Sequence, residues 1–129
     1  MQWVDTNVIV RFLTHDDRAQ TARAIIVMGR KNIRISKTVL LETAWVLRSL
    51  YDFPVEAIVE AMERLGGMQN VSFEDAAAIL QAIALIRNGL DIEDALHVAT
   101  CAQTDGEFMT FDSKLAKRAT QSGMKIVLA

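Results

Sequence analysis

The sequence predicts an α/β fold built on a central parallel sheet. Short apolar runs of strand character alternate with helical patterns along all 129 residues. Strands separated by helices need crossover connections, which make neighbouring strands parallel. Hydrophobic residues make up 51% of the chain and charged residues 23%, an ordinary globular balance that argues against disorder. The length suits a single domain over residues 1–129.

Each element has its own signal. Trp3-Val4 closes a first strand, and a short apolar helix covers residues 8–13. Asp16 can cap a helix over 17–30, with Ala19, Ala22, Ile26 and Val27 spaced for one face. Residues 33–36 alternate like a strand, and 38–50 read as a helix apolar nearly all round. Pro54 suits the first turn of a helix that stops at Gly66-Gly67. Residues 71–73 form a short edge strand, and 74–87 a helix closed by Asn88-Gly89. A helix over 91–103, a strand over 108–111, a helix over 113–121 and a strand over 125–128 complete the chain.

Composition excludes several classes of function. Lys and Arg total 14 against 16 Asp and Glu, a net charge of −2, so no global field draws a polyanion and any nucleic-acid contact must be local. The single cysteine, Cys101, excludes an internal disulfide and a multi-cysteine zinc site, and fits a reducing cytoplasm. No basic, apolar leader is readable at the N-terminus. The longest apolar stretch, residues 76–86, is interrupted by Gln81 and falls far short of the roughly 20 residues of a membrane span. The expectation is a soluble cytoplasmic protein with no membrane partner.

The acids mark where chemistry is expected, because α/β sheets place their sites at the carboxyl ends of strands. Asp5 follows the first strand and Asp112 follows a later one. Either residue alone also reads as a helix N-cap. Glu42 is the one charge in Val39-Leu40-Leu41-Glu42-Thr43-Ala44-Trp45-Val46-Leu47. A helix this apolar should be largely enclosed, and a carboxylate there is costly without a cation; otherwise Glu42 lies on a thin solvent-facing strip with Ser49. Asp91 and Asp94 are spaced like a capping box, although Asp is not the preferred residue at the second place. Asp94 also falls in the first turn, where the helix dipole favours a carboxylate. Carboxylates gathered in one pocket repel and must protonate or bind a cation. All-oxygen ligands select Mg²⁺ or Mn²⁺, and such an ion activates water and polarises a phosphoryl oxygen.

The ordered set Val-Asp-Thr-Asn-Val at 4–8, Glu42 on its apolar helix, Asp-Ile-Glu-Asp-Ala-Leu at 91–96 and Thr-Phe-Asp at 110–112 resembles the PIN-domain nucleases. At this length it is most similar to VapC-type toxins of bacterial type II toxin–antitoxin pairs. The resemblance implies a three-layer α/β/α sandwich and an acidic quartet of Asp5, Glu42, Asp94 and Asp112, with Asp5, Asp94 and Asp112 as metal ligands. Asp91 would be an auxiliary acid, Asn7 would hold Asp5, and Thr6 and Thr110 would line the site. The family implies a Mg²⁺- or Mn²⁺-dependent endoribonuclease, a homodimer, and a VapB-like antitoxin bound over the active site.

Other chemical-looking residues have plainer readings. His97 lies one turn after Asp94 but lacks an orienting partner in the sequence, and Cys101 reads as a small core residue. Gly66-Gly67 lacks the Lys-Ser/Thr of a phosphate loop. Lys114, Lys117 and Arg118 follow Asp112, and Arg30, Lys31, Arg34 and Lys37 precede the Glu42 helix. An RNA-cleaving site needs nearby cations for the phosphate backbone, and Arg11, Lys37 and Lys114 are the candidates by proximity. Two alternatives compete with a nuclease: a PIN-fold binding module without catalysis, and an α/β phosphatase using Asp5 as nucleophile. The phosphatase would want an acid at position 7, where the chain has Asn.

Overall fold

The computed structural model describes residues 1–129, and its Cα framework divides into two compact units, Met1–Glu74 and Asp75–Ala129. The first unit holds β1 (Gln2–Trp3), α1 (Thr6–Thr14), α2 (Arg18–Met28), β2 (Ile33–Ile35), α3 (Lys37–Tyr51), α4 (Val55–Gly67) and β3 (Val71–Phe73). The second holds α5 (Ala76–Arg87), α6 (Ile92–Ala102), β4 (Phe108–Thr110), α7 (Ser113–Gln121) and β5 (Ile126–Leu128). No helix is long and apolar enough to cross a membrane.

The expected parallel α/β architecture is present in both units. In the first, the strand order is β1-β2-β3, with Gln2 opposite Ile33 and Ile33 opposite Val71. Every pairing is parallel because helices return the chain between strands. The central strand β2 buries Ile33 and Ile35 completely, and both lie on one face, while Arg34 between them lies on the other face and is half-buried. In the second unit β4 and β5 form a parallel pair, with Met109 opposite Val127.

Helix packing surrounds these strands. Ile9 and Val10 of α1, Met28 of α2, Leu40 and Leu47 of α3, and Ile58 and Leu65 of α4 are buried. α4 comes so close to β3 that a Cβ on Gly66 would lie 2.8 Å from the Phe73 ring. α5 and α6 pack against each other, and both bury small side chains, Ala78 and Ala82 on α5 and Ala95 and Ala99 on α6, beside Ile79, Ile83 and Leu96.

Four local expectations are corrected. α1 begins at Thr6, two residues earlier than its apolar pattern, because Asp5 caps it. The cap of α2 is Asp17, which accepts from Gln20 N–H at 2.9 Å; Asp16 is drawn away by Arg11 and Tyr51. α2 buries Thr21, Ala24 and Met28, while Ile26 is 64% exposed and Ala19 and Ala22 face out. α3 is not enclosed by its own chain: Trp45 is 51% and Leu50 68% exposed, and Glu42 shares their open side with Ser49.

Candidate active site

Residues at strand ends and helix starts bring the acids into two local groups, one in each unit. In the first unit Asp5 leaves β1 and caps α1, its Oδ1 accepting from Thr6 N–H at 2.8 Å. Thr6 is buried, and its hydroxyl donates a hydrogen bond to Glu42 Oε1 on α3. Thr6 therefore ties the exposed carboxylates of Asp5 and Glu42 to one helix start. Asn7 follows at the start of α1 and lines a groove of about 330 Å³ between α1 and α2 with Val8, Arg11 and Arg23. Burial does not explain Glu42; its bond to Thr6 is what distinguishes it from a simple surface acid.

In the second unit Asp91, Asp94 and Asp112 line one pocket of about 260 Å³, with Lys114 and Arg118 on its wall. Asp91 occupies the N-cap of α6 but makes no capping side-chain bond, so the capping-box reading fails and its carboxylate remains available to the pocket. Asp112 does cap, accepting from Lys114 N–H at 3.0 Å and Leu115 N–H at 3.1 Å at the start of α7. Cap and pocket acid are thus one residue, because each carboxylate has more acceptor sites than two amides fill. Thr110 Oγ1 accepts from Asp112 N–H at 3.0 Å and sets the bend that aims Asp112.

The electrostatics of this pocket are unfavourable. Partial burial first, then the negative charges of Asp91 and Asp112, push the Asp94 carboxyl above the ordinary carboxylate range, with Glu93 adding to the rise and His97 opposing it. His97 itself is exposed and stacks on Phe108, ring centroids 6.5 Å apart and planes 8° from parallel.

The expected basic residues have different settings. Arg11 is occupied: it donates to Gln20 at 2.6 Å, Tyr51 at 2.9 Å and Asp16 at 3.1 Å. Lys37 opens α3, its backbone N–H donating to Glu74 at 3.0 Å. Lys114 stands at the acid pocket. Arg118, named in the sequence after Asp112 but not among the three candidates, stands there too and donates to Gly89 O at 2.6 Å. Its place one turn beyond Lys114 on α7 puts the two on one face and is the signal that would have singled it out. Gly89 has φ +101°, and a Cβ there would come within 3.2 Å of Arg118 Nη1, so the turn needs glycine.

The donor chemistry fits a hard divalent cation, since the pocket offers carboxylate oxygens whose mutual repulsion an ion would relieve. Nevertheless, no three His, Cys, Asp or Glu side chains are drawn tightly enough together to form a ready cage.

The PIN domain family model matches residues 3–121, and the chain belongs to the PIN domain family. A search of the curated proteins finds no significant match. PIN domains are generally nucleases, which places the chain among hydrolases acting on nucleic acid.

Proposed function

We propose that this chain is a Mg²⁺- or Mn²⁺-dependent endoribonuclease, the VapC-like toxin of a toxin–antitoxin pair, working in the cytoplasm as a homodimer and silenced by a VapB-like antitoxin. The observation that supports it best is the pocket of Asp91, Asp94 and Asp112, where partial burial and then the like charges raise the Asp94 pKa in a chain of a nuclease family. In this reading Asp5, Asp94 and Asp112 hold the metal, Glu42 is the fourth acid, and residues 1–129 act as one domain.

A bound Mg²⁺ or Mn²⁺ would supply the activation of water and the polarisation of a phosphoryl oxygen. The chain's own residues do the rest. Thr6 orients Glu42, Thr110 orients Asp112, and Asp91 adds negative charge that strengthens cation binding. Lys114 and Arg118 offset the acids and hold the phosphate backbone of the substrate. The open side of α3 with Trp45 and Leu50 supports the homodimer.

RNA incubated with metal-stripped protein, then with Mg²⁺ or Mn²⁺ restored, tests the reading. Cleavage that depends on the added metal and is lost in Asp94→Asn is expected. RNA left intact by the wild type with metal present would sink the nuclease and leave a binding module.

A further inference from the structure

Phe111 is 88% exposed, more than any other large hydrophobic side chain, the N-terminal Met1 at 74% included. Burying a phenylalanine is worth about 1.5–3 kcal/mol, so the fold forgoes that stabilisation here. The exposure is not the looseness of a chain end. On one side of Phe111, Thr110 O accepts from Ala129 N–H at 2.8 Å. On the other, Asp112 N–H donates to Thr110 Oγ1 at 3.0 Å, and the Asp112 carboxylate accepts from Lys114 and Leu115 N–H. The backbone is therefore pinned on both flanks while the ring stands in water. Immediately after the ring comes Asp112, a wall of the acid pocket, with Lys114 and Arg118 on the same wall.

We propose that Phe111 is a base-stacking platform that fixes an unpaired nucleotide of a single-stranded substrate beside the acid pocket. The proposal rests on the nucleic-acid reading of that pocket and adds the residue that grips a base of the substrate. An aromatic face accepts any base, whereas the bases of a duplex are already stacked on one another. Lys114 and Arg118 supply the cations that the neighbouring phosphates need. Ring and cations together match the alternation of base and phosphate along a single strand. Because the backbone that carries the ring is pinned before substrate arrives, only the side chain is left to order on binding.

The test measures binding in Ca²⁺ by fluorescence anisotropy, with labelled oligo-adenylate, an abasic strand of equal length and charge, and an RNA duplex. Base stacking is worth 1–3 kcal/mol per base, so Phe111→Ala should weaken oligo-adenylate binding about tenfold. It should leave the abasic strand and the duplex unchanged, and Phe111→Trp should restore the loss. Melting curves unchanged in Phe111→Ala are expected for so exposed a ring. Equal binding of oligo-adenylate by wild type and Phe111→Ala would overturn the proposal. So would an equal loss on the abasic strand, or a loss of self-association in Phe111→Ala, which would make the ring an interface between copies. Base-dependent binding without Mg²⁺-dependent cleavage would sink the nuclease reading and leave the platform standing.

Discussion

Asp16 and Asp94 are aspartates of one chain held in opposite ways. Asp16, in the turn between α1 and α2, takes a hydrogen bond from the Tyr51 hydroxyl, another from Thr14, and the charge of Arg11 at 3.1 Å. The bond from Tyr51 is the largest favourable influence, and the carboxyl is held below its ordinary range. Asp94 faces Asp91 and Asp112 across a pocket and is pushed upward. The first arrangement satisfies its charge and pins helices together. The second gathers three carboxylates against the two cations Lys114 and Arg118, an excess that a fold tolerates at a site that takes up something positive. Perturbed acids are thus informative by the sign of their perturbation, and only the second cluster asks for a ligand.

The largest effect that separates the two clusters is on cleavage. Asp94→Asn and Asp112→Asn should each lower metal-dependent RNA cleavage by roughly a hundredfold or more, since even residues that merely support metal ligands cost 10–100-fold. Asn caps a helix as well as Asp does, so α7 should stay folded in Asp112→Asn by circular dichroism. Asp16→Asn should cleave like the wild type. A turnover assay on the three variants checks this, and equal activity in Asp94→Asn and Asp16→Asn would erase the distinction.

A smaller effect is expected at Glu42. Glu42→Gln keeps an acceptor for the buried Thr6 hydroxyl, whereas Glu42→Leu leaves that donor without one. Chemical denaturation should find Gln within about 0.5 kcal/mol of wild type and Leu destabilised by about 1–3 kcal/mol. Both should lose cleavage if Glu42 belongs to the quartet. A stable, active Glu42→Leu would return Glu42 to the solvent-facing strip it shares with Ser49.

The smallest effect is in the pH dependence of stability. The folded pKa of Asp94 lies above the unfolded one, so the native state binds more protons in between, and stability falls as pH rises from the ordinary carboxylate pKa through the raised value. Asp94→Asn should remove that fall, a small change because solvent screens so open a group. Asp16 runs the other way: its stabilisation is present above the ordinary carboxylate pKa and lost as pH falls through the lowered value. Urea melts from about pH 3 to about pH 7 on wild type, Asp94→Asn and Asp16→Asn should show the two signs. The same sign for both would contradict the contrast.

The sequence made much of the framework legible because helix caps and turn residues act locally. Pro54, Gly66-Gly67, Asn88-Gly89 and the alternation at Ile33–Ile35 marked elements that formed where their signals lay. What stayed hidden depends on partners distant in sequence. Asp16 and Asp17 are equal caps by composition, and Tyr51, 35 residues further on, decides between them. The exposure of Trp45 and Leu50 on α3 could not be read from a helix apolar on most sides. Among the acids, periodicity placed Asp91 and Asp94 at one helix start. It could not show that Asp91 makes no cap bond, or that Asp112 both caps α7 and faces the pocket.

The contrast between a satisfied and an unsatisfied acid cluster is tested most directly by metal binding. Calorimetric titration of Mn²⁺ into wild type, Asp16→Asn and Asp94→Asn compares the clusters in one measurement. Wild type and Asp16→Asn should bind alike, and Asp94→Asn should lose about tenfold or more in affinity. Unchanged Mn²⁺ binding in Asp94→Asn, or a loss that follows Asp16→Asn instead, would contradict the account.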